Sequence, residues 1–188
     1  MADSVARSEF ILGGQRSGKS RRAESLAMYW LVRSPSHRAV MLATGQAWDD
    51  EMRARIARHQ RDRAERVPGM VTVEEPLALA QALREHSAPH TLVVVDCLTL
   101  WLTNLLMPAA GAPTHAAEPT QALCHGIRDA AGPVVLVGNE IGLGVIPMGR
   151  EVRAFVDALG ALNQAVAGTC ERVTLMAAGL PLTLKEPQ

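Results

Sequence analysis

The chain has no surplus of charge of one sign, no paired cysteines and no long apolar run. Nineteen Lys and Arg balance nineteen Asp and Glu, for a formal net charge of zero. A balanced chain has no electrostatic footprint for a nucleic acid or a membrane surface, so neither is expected as a partner. The arginines at 53, 55 and 58 sit beside acids and read as a local feature. Cys97, Cys124 and Cys170 lie far apart and form no C-x-x-C pair, which excludes a disulfide scaffold and a structural zinc site. Their neighbourhoods are largely apolar, as expected of buried, inert thiols. No run approaches the roughly 18 apolar residues of a membrane span. Residues 1–9 lack the apolar core of a signal peptide, so a cytoplasmic protein is expected. Against these absences stands a composition 48% hydrophobic over 188 residues, enough for one globular domain with a real core.

That apolar content comes in short runs separated by helical patterns. Phe10–Leu12, Ala39–Ala43, Leu92–Val95, Val134–Val137 and Val173–Ala177 read as buried strands. Leu182–Leu184 adds a short final strand through a hairpin at Gly179 and Pro181. Continuous apolar strands alternating with helices predict an α/β fold, a parallel sheet with helices on both faces. Met107–Thr120 carries Pro108, Pro113 and Pro119 and reads as a loop, because proline fixes φ and removes a donor. It is not a domain boundary, since strands flank it on both sides.

Between the first strand and a helix predicted from Lys19 to about Val32 lies Gly13-Gly14-Gln15-Arg16-Ser17-Gly18-Lys19-Ser20. This is the P-loop pattern G-x-x-x-x-G-K-[ST] in the setting it requires. Glycines let the backbone curl until successive N–H groups face an anion, and the helix N-terminus adds its dipole. Lys19 is placed to reach the β- and γ-phosphates of a nucleoside triphosphate, and the Ser20 hydroxyl to ligate Mg²⁺.

Three other features are chemically open. Asp96 ends the Leu92–Val95 run, where it either directs a second ligand to Mg²⁺ or caps the helix that follows. Asp49, Asp50 and Glu51 open a helix on which Glu51, Arg55, His59 and Arg63 recur every four residues. An imidazole between arginines suits a nucleophile at phosphorus, but spacing alone favours a solvated face of Glu–Arg pairs. Asn139-Glu140 follows the fourth strand at its carboxyl end; Glu140 is either a base for phosphoryl transfer or part of a turn with Gly142 and Gly144. Leu100 and Trp101 read first as core or subunit contact, and only second as a surface facing a large apolar substrate.

Read together, several blocks resemble one enzyme family: GGQRSGKSRRAE from Gly13, ATGQAWDDEMRARIARHQRDR from Ala43, TVEEP from Thr72, VVDCLTLWLTNLL from Val94, VGNEIGLGVIP from Val137, RAFVDALGALNQAVA from Arg153 and AGLPLTLK from Ala178. The family is the bifunctional adenosylcobinamide kinase and adenosylcobinamide-phosphate guanylyltransferase of cobalamin biosynthesis. The resemblance covers nearly the whole chain, sparing residues 1–8 and the proline-rich loop at 107–120.

It implies a single RecA-like P-loop domain over residues 1–188, assembled as a homotrimer, with GTP and ATP as nucleotide substrates and Mg²⁺ held by Ser20 and Asp96. It implies phosphorylation of adenosylcobinamide, then transfer of GMP from GTP to that phosphate through a GMP–histidine intermediate on His59. Gly13 to Ser20 would bind the GTP phosphates, with Ala43, Thr44, Gly45, Gln60, Arg61, Asp62, Arg63, Glu74 and Asp96 completing the nucleotide site. Three places depart from the family pattern: Ala64 stands where proline is usual, Val67-Pro68-Gly69-Met70 lengthens the path to Thr72, and Val156 replaces an arginine. The competing readings are a kinase without guanylyl transfer and a RecA-like NTPase module, in which Arg150 or Arg153 would act as a finger.

Overall fold

The computed structural model describes residues 5–47, 49–108 and 119–187. Seven strands, β1 (Ser8–Gly13), β2 (Arg38–Ala43), β3 (Val71–Glu74), β4 (Thr91–Asp96), β5 (Val134–Val137), β6 (Arg172–Ala177) and β7 (Leu180–Lys185), form one sheet in the order β3-β2-β4-β5-β1-β6-β7. All pairings are parallel except β6 with β7, which turn back on each other at Ala178 and Gly179, both at positive φ. The helices are α1 (Lys19–Val32), α2 (Asp50–Arg66), α3 (Leu79–His86), α4 (Leu98–Leu106), α5 (Pro119–Asp129) and α6 (Arg150–Thr169).

The central strands are apolar at consecutive positions because both faces of the sheet are covered. Phe10, Leu12, Val93, Val95, Val134 and Leu136 point to one face, where they meet Leu83 of α3, Trp101 of α4, Leu123 of α5 and Leu162 of α6. Ile11, Leu92, Val94, Val135 and Val137 point to the other, against Ala23, Leu26 and Ala27 of α1 and Val67 at the end of α2. Each such Val, Leu or Phe side chain removed from water contributes about 1.5–3 kcal/mol. Trp101 is a core residue, with its indole N–H donating to the Leu77 carbonyl at 2.9 Å.

The six predicted strands are all present. The edge strand β3 was not foreseen, because Val71–Glu74 is short and nowhere fully buried and so carries no apolar run. The predicted loop over 107–120 ends sooner than its prolines suggested. Pro119 opens α5, since proline fits the first turn of a helix, where its missing N–H has no partner to lose. Residues 109–118 of that loop and residues 1–4 of the predicted tail lie outside the described residues, and Ser8 already belongs to β1.

Candidate active site

The parallel register brings six strand ends to one edge of the sheet. Gly13 pairs with Met176, Ala43 with both Glu74 and Asp96, and Asp96 with Val137. Open α/β sheets bind their ligands beyond these carboxyl ends.

The loop from Gly14 to Gly18 is closely held. Ser17 N–H donates to the Gly14 carbonyl at 3.3 Å, Gly179 N–H to the Ser17 carbonyl at 3.0 Å, and Glu140 N–H to the Gly13 carbonyl at 3.1 Å. Glycine at 13 is required by close approach: a Cβ there would stand 2.4 Å from the Met176 carbonyl oxygen and 2.6 Å from Ser17 Oγ. Gly18, at φ +101°, occupies the N-cap of α1 and leaves that helix end without a side-chain cap, its N–H groups open to an anion. Lys19 is buried, and its ammonium donates to the Gly14 carbonyl at 2.6 Å. Burial lowers its pKa from the usual lysine value, against the opposing influence of Cys97 and Asp96. A phosphate placed here would restore what burial takes from this cation.

Asp96 is half-buried at the end of β4 and does not cap the next helix. Cys97 is the N-cap residue of α4, and no side chain caps it. The Asp96 carboxylate and the Ser20 hydroxyl make no hydrogen bond or ion pair among the described residues. They are a pair of hard oxygen donors flanking the phosphate loop, the donor set that suits Mg²⁺ shared with phosphates and water.

Thr44 is fully buried, and its hydroxyl is spent inside the protein. It donates to the Cys97 carbonyl at 2.7 Å and accepts from Cys97 N–H at 2.9 Å. The Thr44 N–H donates to the Asp96 carbonyl at 3.1 Å and the Ala43 carbonyl accepts from Glu75 N–H at 2.9 Å, so Gly45 is the residue of this segment left most open to a ligand. Asn104, buried on α4, donates to the carbonyls of Thr44 and Pro76 at 2.8 and 3.1 Å and ties the two loops together. Sequence reading passed it over, because nothing in the LTNLL stretch separates a bracing amide from a surface one. The Cys97 and Cys170 thiols are buried and pushed up to about 12, which makes them inert, and Cys124 is buried as well.

The second half of the site is α2. Its N-cap is Asp49, whose carboxylate accepts from Met52 N–H at 2.7 Å. A cavity of about 440 Å³ lies between this helix and the ends of β2 and β3, lined in part by Gly45, Gln46, Ile56, Gln60 and Glu74. Gln60 Nε2 donates to Glu74 Oε1 at 3.2 Å across it. His59 is exposed and does not line this cavity, and Arg61 is exposed beside it. Arg63, one turn beyond His59, is buried, and among the described residues no hydrogen bond or ion pair engages its guanidinium. A cation with no acid partner among the described residues is a candidate to meet an anion. Asp62 pairs with Arg66 at 3.6 Å, and Arg66 also holds buried Glu24 of α1 at 3.0 Å. The predicted four-residue stripe thus divides, with Glu51 and His59 outward and Arg63 inward. The side chain of Arg55 lies outside the described residues.

A seven-stranded, mostly parallel sheet with a Gly13–Ser20 phosphate loop at its carboxyl edge defines a P-loop nucleotide-binding enzyme. A flagellar accessory protein, FlaH, from Methanocaldococcus jannaschii shares that fold at a TM-score of 0.56, over 97% of this chain and 80% of its own, at 9% identity. The family described as cobinamide kinase / cobinamide phosphate guanyltransferase matches residues 9–184, and the chain belongs to it. The chain is 48% identical over 178 residues to the bifunctional adenosylcobalamin biosynthesis protein CobP of Pseudomonas aeruginosa, covering 94% of this chain and 96% of that protein. It is 34% identical over 186 residues to CobU of Escherichia coli, which carries the same description, covering 93% and 98%. The present chain is thus a cobinamide kinase and cobinamide-phosphate guanylyltransferase.

Proposed function

We propose that the two reactions use one nucleotide cradle and differ in what reaches it. In the first, the aminopropanol hydroxyl of adenosylcobinamide takes the γ-phosphoryl group of ATP or GTP. In the second, His59 Nε2 attacks the α-phosphorus of GTP, the bond to the bridging oxygen breaks and pyrophosphate leaves. An oxygen of adenosylcobinamide phosphate then attacks the same phosphorus and displaces His59, giving adenosylcobinamide-GDP. Lys19 and the N–H groups of Gly14 to Ser20 stabilise charge on the phosphates. Buried Arg63 offers a second cation, and Ala43 to Gly45, Gln60 to Asp62 and Glu74 flank the nucleoside. Ser20 and Asp96 would hold Mg²⁺, which when bound neutralises phosphate charge and eases departure of the leaving group.

The observation that carries this reading is the pairing of a closely held phosphate loop with a helix that bears His59 and a buried arginine without a partner among the described residues. Because His59 is exposed and does not line the cavity beside α2, this reading requires α2 to shift toward the cradle for guanylyl transfer. The exposed apolar side chains of Leu143, Val145, Ile146, Met148 and Leu180 support assembly with further copies, as a homotrimer. No helix of the described residues is long and apolar enough to cross a membrane, and a cytoplasmic location is consistent with that.

Incubation with GTP labelled at the α-phosphate tests the central step. Label is expected to stay on the protein, to be released by acid but not by base, and to be absent from His59→Ala. Failure to retain α-label while GTP still binds would leave only the kinase.

A further inference from the structure

The cavity on the far side of the phosphate loop, about 410 Å³ in volume, has one carboxylate in its wall. It is bounded by Gly14, Gln15 and Ser17 of the loop, by Met176 of β6, and by Glu140 and Leu143 beyond β5. From this geometry we infer that Glu140 is the general base of the phosphorylation step and that this cavity receives the acceptor alcohol. The inference rests on the kinase reading above and extends it to a residue that reading leaves out.

Glu140 is fixed in place from several sides. Its N–H donates to the Gly13 carbonyl at 3.1 Å, tying it to the start of the phosphate loop. The preceding residue, Asn139, donates its N–H to Thr99 Oγ1 of α4 at 2.9 Å and accepts from Asn163 Nδ2 of α6 at 3.1 Å. Its carboxylate accepts a single side-chain hydrogen bond, to Oε1 from Gly142 N–H at 2.6 Å, and among the described residues it makes no ion pair. A side chain at 142 would crowd that oxygen, since a Cβ there stands 3.0 Å from Oε1. One oxygen is thus anchored and the other is free for a proton. The acid at the end of β4, Asp96, is set beside Lys19 instead, with the charge of the phosphates.

A carboxylate unpaired among the described residues and one hydrogen bond from the phosphate loop is what in-line phosphoryl transfer to an alcohol requires. The hydroxyl proton passes to Glu140 Oε2 as the alcohol oxygen bonds to the γ-phosphorus. The bond from that phosphorus to the bridging oxygen breaks, and the nucleoside diphosphate leaves. Guanylyl transfer needs no such base, since its acceptor is already a phosphate anion and its nucleophile is an imidazole.

The test compares wild type, Glu140→Gln and Glu140→Asp in two assays. One follows γ-label passing to cobinamide, the other α-label passing through His59 to preformed cobinamide phosphate. Glu140→Gln is expected to lower the ratio of phosphorylation to guanylyl transfer by about 100-fold or more, through kcat with little change in KM, and Glu140→Asp to recover part of it. A ratio within about threefold of wild type, or an equal fall in both activities, overturns the assignment. If wild type itself retains no α-label, it is the guanylyl-transfer reading that has failed, and the γ-label assay still decides the role of Glu140.

Discussion

Helices α1 and α2 carry the two halves of the proposed nucleotide site, and they are held very differently. In α1, Lys19, Ala23, Glu24, Leu26 and Ala27 are buried against the sheet. Among the described residues of α2 only Arg63 is buried, although the helix is three residues longer at 17 against 14. The phosphate cradle is therefore built in advance, at the expense of folding free energy, so that no reorganisation is needed when charge develops on phosphorus. The histidine helix is anchored at its C-terminal end by Val67 in the core and Arg66 on Glu24 and at its middle by Gln60 on Glu74, and the proposed mechanism requires it to move on these light attachments. On the proposed reading, one rigid half and one movable half would let a single cradle serve two phosphorus centres.

Substitutions should separate the halves. The largest effect is expected for His59→Ala, with α-label transfer falling by on the order of 10⁴-fold or more and γ-phosphoryl transfer nearly unchanged. Parallel fall of both activities would mean that α2 belongs to the rigid half after all. Lys19→Ala should do what His59→Ala does not, lowering both activities by roughly 10²–10³-fold, measured as kcat/KM in each assay.

Glu24→Gln loosens the tether without touching the nucleotide. Guanylyl transfer should fall about tenfold and phosphorylation much less, with a stability loss of about 1–2 kcal/mol in urea unfolding from the weakened charged hydrogen bond.

The smallest effect reports on the rigid half alone. The Cys97 and Cys170 thiols are raised from 9.0 to about 12 by burial, so the folded state holds their protons more tightly than the unfolded one. Their contribution is complete below pH 9.0 and is lost as pH climbs toward 12. By pH 10 the loss should reach about 1 kcal/mol per thiol, and Cys97→Ala should flatten the unfolding profile between pH 8 and 10 by about that amount.

The rigid half was legible from the residues. A buried strand, a glycine loop and a helix follow one another in an order that phosphate chemistry explains position by position, and the structure places Gly13, Gly18 and Lys19 accordingly. The movable half was not legible in that way. Spacing put His59 on a charged helix face indistinguishable from a solvated one, and family resemblance alone singled it out. The inward turn of Arg63 could not be read either, because burial on a lightly packed helix depends on the sheet beneath it. Glu9 gave no sign of being a fully buried strand carboxylate, since its partners Arg22, Thr174 and Arg172 are held at 2.9, 2.9 and 3.5 Å by tertiary contacts, two of them over 160 residues away in sequence.

Amide hydrogen exchange with and without GTP addresses the difference between the halves most directly. Residues 8–27 should be strongly protected in both states, whereas residues 50–62 should exchange fast in the free protein and become protected on GTP binding. Equal protection of residues 50–62 in both states would contradict a movable histidine helix, and with it the division of labour proposed for the two reactions.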